Sequence, residues 1–224
     1  MIFGKIEYLN LLPLHIFLKR RLRSASEKSA WQRHGSVPSQ INRAFLSGRV
    51  DAAVISSIKS RRCRCTDFGI IADGEVRSVL LLPGKAKSDI ESDTSNMLAR
   101  VLGLEGEVLI GDKALHHYHN YPNRGIDLAK LWKEREGLPF VFARLCAHPR
   151  HFARIERISR DFFKNPPKIP IYILRRQARL HGLSEAELRA YLKLIYYKME
   201  WREKMALKRF FRLAAKERKS KENM

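Results

Sequence analysis

Apolar residues along this chain fall into short continuous runs separated by stretches of helical period, the pattern of strands alternating with helices. Ile2, Phe3, Ile6, Tyr8 and Leu9 form a first buried run of β character. Pro13 suits the first turn of a helix, where its missing N–H costs nothing. Leu14, Phe17 and Leu18 follow at i, i+3 and i+4, one face of a helix laid on a sheet. Asn10 lies between the two elements. It either turns and caps the chain or meets a ligand, because open α/β sheets bind ligands at the carboxyl ends of strands.

The alternation continues. The segment Arg21–Gly35 is polar and aperiodic and reads as a loop or a ragged connection into a strand. Ile41, Ala44, Phe45 and Leu46 predict a helix opened by Ser36 or Ser39 and closed by Gly48. Asp51–Ile55 is a buried strand ending in Ser56-Ser57, and Phe68–Ile71 and Ser78–Leu82 are two more, joined by a turn at Asp73-Gly74. Pro83-Gly84 then breaks the pattern as a hinge would. Asp93-Thr94-Ser95 is an N-cap cluster opening a helix with Met97, Leu98, Val101 and Leu102 on one face. Glu107–Ile110 is a strand running through Gly111-Asp112 into a short segment, Lys113–Tyr118. Ile126, Leu128, Leu131 and Trp132 form a helical face closed by Gly137, and Phe140–Ala143 is a further strand. From Arg150 onward the chain reads as helical, with a capping box at Ser184–Glu187.

Composition narrows the class. Hydrophobic residues are 45% and charged residues 30% of 224, a globular profile with no apolar run long enough to span a membrane. The first ten residues, MIFGKIEYLN, carry no secretory signal pattern, and a cytoplasmic location is expected. Cys63, Cys65 and Cys146 match neither a disulfide framework nor a zinc site, so a reduced protein without structural metal is expected. The net charge of +21 raises nucleic acid as a partner. Residues 144–224 hold 22 Lys and Arg against 8 Asp and Glu, largely on amphipathic helices, and Lys216–Met224 reads as a frayed basic tail. No helix-turn-helix, RNP or zinc-finger pattern accompanies the charge. A solvated basic face that steers small polyanions accounts for it.

Polar residues recur at strand ends and helix starts: Asn10, Ser56, Ser78, Thr94, Ser95 and Asp112. Each has a structural explanation alone; converging on one cleft, they would make an α/β binding site.

Longer segments carry a resemblance. Ile6–Leu14 (IEYLNLLPL), Val37-Pro-Ser39 with Gly48–Ala52, Glu75–Leu80, Asp93-Thr-Ser95, Val108–Leu115 (VLIGDKAL), Asp127–Trp132 (DLAKLW), Gly137–Ala143 (GLPFVFA) and His181–Glu185 with Tyr191 follow one order. Together they resemble the chorismate dehydratases of the futalosine route to menaquinone, relatives of the type II periplasmic solute-binding proteins. The combination covers nearly the whole chain. Little chain lies between Leu115 and Ile126, so a small second lobe is expected, and Leu82-Pro83 stand where many relatives carry a serine.

The resemblance implies two α/β lobes around a cleft: residues 1–83 and 140–224 in lobe I, residues 84–139 in lobe II, the final helices packed on lobe I. It implies conversion of chorismate to 3-[(1-carboxyvinyl)oxy]benzoate and water, with no cofactor or metal. Asn10 and Ser78 correspond to the catalytic positions, Asn10 at the leaving hydroxyl or enolpyruvyl group and Ser78 at a carboxylate. Ser56, Thr94, Ser95, Gly111 and Asp112 are the substrate-binding candidates. Thr94 and Ser95 open a helix whose N–H groups favour anions, Gly111 permits close backbone approach, and Asp112 either caps or touches the ligand. No Glu or His in these motifs claims the proton. His15 reads as a packing residue and His116, His117 and His119 as surface residues, which leaves a carboxylate of the substrate itself as base. Two rivals are the sister enzyme 1,4-dihydroxy-6-naphthoate synthase and a non-catalytic small-anion binding protein.

Overall fold

The computed structural model describes residues 1–21, 24–33, 35–122 and 124–222. Strand β1 (Phe3–Ile6) leads through a 3-10 turn at Leu9–Leu11 into α1 (Leu12–Arg21). Helix α2 (Ala25–Arg33), β2 (Gly35–Ser36), α3 (Pro38–Leu46), β3 (Ala52–Ser56) and β4 (Cys65–Ala72) follow. Next come β5 (Val79–Pro83), α4 (Asp93–Val101), β6 (Gly106–Ile110), α5 (Gly111–Asn120), β7 (Ile126–Asp127) and α6 (Leu128–Glu136). Strand β8 (Phe140–Ala147), α7 (Pro149–Lys164), α8 (Ile171–Leu180), α9 (Glu185–Lys193), β9 (Tyr196–Lys198) and α10 (Trp201–Glu222) complete the chain.

Two sheets result. The larger has the order β2-β1-β3-β8-β4-β9, parallel where β1 meets β2 and β3 and antiparallel from β3 onward. The smaller, β6-β5-β7, is antiparallel throughout. Every residue of β3 is buried, the apolar run Ala52–Ile55 together with Ser56, whose polar groups Asn42 satisfies. Behind the larger sheet, Phe68, Phe162 and Tyr197 pack ring to ring at centroid distances of 5.2–5.5 Å. Phe210 of α10 packs edge-on against Phe140 of β8 and Trp132 of α6, tying the two sheets' helices into one core.

Several expectations change. The polar stretch after α1 forms α2, anchored by buried Trp31, where a loop is expected; residues 22, 23 and 34 lie outside the described residues. Strands β4 and β5 do not pair across Asp73-Gly74: they belong to different sheets. Among the described residues Val79–Pro83 pairs with β6 and β7 in the smaller sheet, so Pro83-Gly84 follows the crossing between sheets. The C-terminal segment is not all helical, because Tyr196–Lys198 adds an edge strand to β4. Nor does α10 fray at Lys216; it runs to Glu222 and packs on α4 as well as β8, bridging both sheets. Cys65 and Cys146, expected as free thiols, form a disulfide: antiparallel pairing of β4 with β8 sets them directly opposite. That adjacency spans 81 residues and leaves no trace in local spacing. Cys63 remains free.

Candidate active site

The cleft between the sheets is lined by the ends of strands and the starts of helices. Asn10 enters it from the turn after β1, Ser56 from the end of β3, and Ser78 from the lead into β5. Ser95 comes from the first turn of α4, and Gly111 and Asp112 from the first turn of α5. Six of the seven sequence candidates therefore meet in one cavity. Thr94 does not line it. Its buried hydroxyl oxygen accepts from Ile58 N at 3.2 Å, a bond from the segment after β3 to the first turn of α4.

Each candidate is held differently. Ser78 follows Arg77, which takes a left-handed φ of 63°, unusual for a residue with a side chain. Asp127 clamps this turn. One carboxylate oxygen accepts from Val76 N at 2.8 Å and Arg77 N at 2.7 Å, while the other caps α6 by accepting from Ala129 N and Lys130 N at 3.0 Å. The Ser78 carbonyl accepts from Gly111 N at 2.9 Å, joining the two candidate segments through the backbone. Gly111 itself has φ 59°, the conformation glycine adopts freely. Ser56 is occupied structurally: its hydroxyl accepts from Asn42 Nδ2 at 2.9 Å, and its N–H donates to Asn42 Oδ1 at 3.1 Å. Ser92, rather than the Asp-Thr-Ser cluster after it, caps α4, accepting from Ser95 N at 3.1 Å.

Two residues absent from the sequence-based candidates, Tyr191 and Tyr8, complete the wall, and a third, His181, stands behind it. Tyr191 of α9 is buried and donates to Ser78 Oγ at 3.1 Å. Burial pushes its hydroxyl above the ordinary phenol range, opposed in part by hydrogen bonding with Ser78 and Asn10. Tyr8 donates to Glu91, and burial together with that carboxylate pushes its phenol up as well. His181 contacts Asp112 at 2.6 Å, so Asp112 is engaged by a histidine as well as lining the cleft. Asn10 Oδ1 is buried and meets no donor among the described residues. Tyr191 stands within a matching motif and His181 follows a helix end, but their distances from Ser78 and Asp112 in sequence hide the contacts.

The chemistry of the wall is mainly neutral. No Lys or Arg lines the cavity among the described residues, and Asp112 is its one carboxyl. Two helix N-termini, those of α4 and α5, open onto it, and their free N–H groups suit negative charge. His119 pairs with Glu187 at 3.3 Å and His117 contacts the Arg124 carbonyl, both away from the cavity. Among the described residues no group of His, Cys, Asp and Glu is arranged to hold a metal ion. No described helix is long and apolar enough to cross a membrane.

A family model described as menaquinone biosynthesis matches residues 1–106 and 89–216. A chorismate dehydratase from Campylobacter jejuni is 45% identical over 215 residues, covering 94% of this chain and 96% of that protein. A chorismate dehydratase from Thermus thermophilus is 29% identical, with 93% of each chain covered. Among solved structures, a protein from Archaeoglobus fulgidus aligns with a TM-score of 0.64 at 14% identity, over 95% of this chain and 96% of that one. The alkanesulfonate-binding protein SsuA from Xanthomonas axonopodis pv. citri aligns with a TM-score of 0.52 at 12% identity, over 97% and 93%. These structural likenesses show the periplasmic-binding-protein-like α/β fold.

Proposed function

Because the chain belongs to the menaquinone-biosynthesis family, we propose that its cleft receives chorismate and that Asn10 and Ser78 hold the substrate through dehydration. The protein is a chorismate dehydratase, a hydro-lyase of menaquinone biosynthesis. In the reaction the ring loses a hydroxyl and the proton of a neighbouring carbon. The electron pair of that C–H bond becomes ring π-bonding as the C–O bond breaks, and the products are an aromatic enolpyruvyl ether and water. Aromatisation drives the chemistry, so the protein's task is to orient, shield and move one proton.

The observation that carries this reading is the meeting of Asn10, Ser78 and Tyr191 at one buried wall, facing the N-termini of α4 and α5. Chorismate carries two carboxylates. With no cation in the wall, the Ser78 and Ser95 hydroxyls are the donors available to them, since Ser95 N and Gly111 N already bond Ser92 and the Ser78 carbonyl. Asn10, whose Oδ1 is an unpartnered acceptor, suits the leaving hydroxyl. A substrate carboxylate takes the ring proton, because the Asp112 carboxylate is already engaged by His181. Ser56 supports the rim through Asn42, and Thr94 acts behind it. The cleft divides a lobe of residues 1–78 and 140–224 from one of residues 79–139, a division that follows β5 into the smaller sheet.

The test is direct. Purified protein is mixed with chorismate and the products are separated with mass detection. Loss of one water to the aromatic ether supports the reading. Unchanged chorismate, with turnover of the sister enzyme's futalosine-derived substrate, overturns it.

A further inference from the structure

Both groups assigned to the dehydration are held from behind by one short stretch of chain, the second half of α9 and β9. The Tyr191 hydroxyl donates to Ser78 Oγ at 3.1 Å, with both side chains buried. Six residues later, the Tyr197 hydroxyl donates to the backbone carbonyl of Asn10 at 2.8 Å. The Tyr197 ring is already fixed against Phe68 and Phe162, so its position does not depend on that bond. Both rings would pack equally well as phenylalanine. What the hydroxyls add is a bond to each assigned residue.

Serine offers one proton and two acceptor sites. When Tyr191 fills one acceptor site, the Ser78 proton is left to point into the cavity that Ser78 lines. Asn10 is also held at its backbone, through the carbonyl that Tyr197 engages. Without that tie, the short turn at Leu9–Leu11 could carry the carboxamide away from the ligand.

We propose that Tyr191 and Tyr197 are positioning residues for the dehydration: Tyr191 fixes the direction in which Ser78 presents its proton, and Tyr197 fixes the backbone from which Asn10 projects. The inference rests on the assignment of Asn10 and Ser78 above. Burial keeps both phenols protonated through the working pH range, so they remain donors throughout.

The experiment is a pair of crossed mutant cycles read as kcat and KM with chorismate. Tyr191→Phe and Tyr197→Phe are made alone and in each of the Ser78→Ala and Asn10→Ala backgrounds, with melting curves to verify folding. Each tyrosine variant should lower kcat roughly tenfold, the scale of one hydrogen bond, with KM nearly unchanged. Tyr191→Phe should lose most of its effect in Ser78→Ala and keep, in Asn10→Ala, the part that runs through Ser78. Tyr197→Phe should show the mirror pattern, although Asn10→Ala retains the carbonyl it bonds. Equal, additive losses in every background would mean general loosening and overturn the inference. Should a phenylalanine variant fail to fold, fluorotyrosine at position 191, a stronger donor of nearly the same shape, should change kcat in the parent and not in Ser78→Ala. An equal response in both would overturn it. If Ser78→Ala and Asn10→Ala themselves cost less than tenfold, the assignment fails and this inference with it. If they cost 10²–10³ and the cycles are additive, this inference alone fails.

Discussion

Replacing Asp127 by asparagine tests how the fold delivers Ser78. The carboxylate receives four backbone N–H groups at 2.7–3.0 Å, two from the Val76-Arg77 turn and two from the start of α6. An asparagine can keep its oxygen on the α6 N–H groups, but its NH₂ then faces the N–H groups of Val76 and Arg77. Two charge-assisted bonds are lost and two donors are left facing a third. Counting about 1–1.5 kcal/mol for each, because Asp127 is only half-buried and water can partly replace it, gives about 2–3 kcal/mol. Alanine also removes the helix cap, worth about 1 kcal/mol, for about 3–4 kcal/mol in all. The functional cost is separate. Arg77 holds φ 63° against a strain of about 1–3 kcal/mol, and releasing its N–H lets the turn relax and moves the next residue, Ser78. Urea unfolding followed by circular dichroism gives the first quantity, and kcat with chorismate gives the second. A loss of stability below 0.5 kcal/mol for Asp127→Asn, with kcat unchanged, would refute the clamp.

Three further predictions follow from the same contacts. The His15 imidazole packs edge-on to Trp31, and burial with Lys5 nearby pushes it down to about 3. Below pH 6.5 the unfolded chain takes up a proton that the native state refuses, so stability falls as pH drops from 6.5 toward 3, by about 2 kcal/mol at pH 5. Urea midpoints at pH 7.5 and 5 should show that loss in the parent and lack it in His15→Phe; equal acid sensitivity would contradict the origin. Thr94→Val should lose about 1–3 kcal/mol by orphaning Ile58 N–H while leaving KM near the parent value, since Thr94 stands behind the cleft. Gly111→Ala places a Cβ 3.5 Å from the Tyr8 ring at φ 59°, so thermal melts should show a cost of about 1 kcal/mol and kinetics a raised KM.

The local alternation of runs and helical faces was enough to place most elements, because burial on a sheet imposes it residue by residue. Pro13, Gly48, Gly137 and the Ser184–Glu187 box mark their boundaries as the chemistry of helix ends demands. Candidate groups at element boundaries were legible for the same reason: Asn10 lies in the turn after β1, Ser56 ends β3, Ser78 leads into β5 and Asp112 opens α5. What escaped depends on pairing between distant strands. Cys65 reaches Cys146 only through the β4–β8 register, and Val79–Pro83 joins the smaller sheet only because β6 and β7 bracket it. Helix α2 is polar enough to read as loop and is held by Trp31. Tyr191 and Tyr197 act across 113 and 187 residues, so no spacing announces them.

The most direct measurement of the central claim is kcat for chorismate dehydration by Asn10→Ala and Ser78→Ala, with folding verified by melting. A cleft that works by oriented neutral donors predicts losses of roughly 10²–10³ in each variant, with the same aromatic product formed slowly. Losses under tenfold in both would contradict it and move the chemistry to other groups of the site, first Asp112 in the wall and His181 behind it.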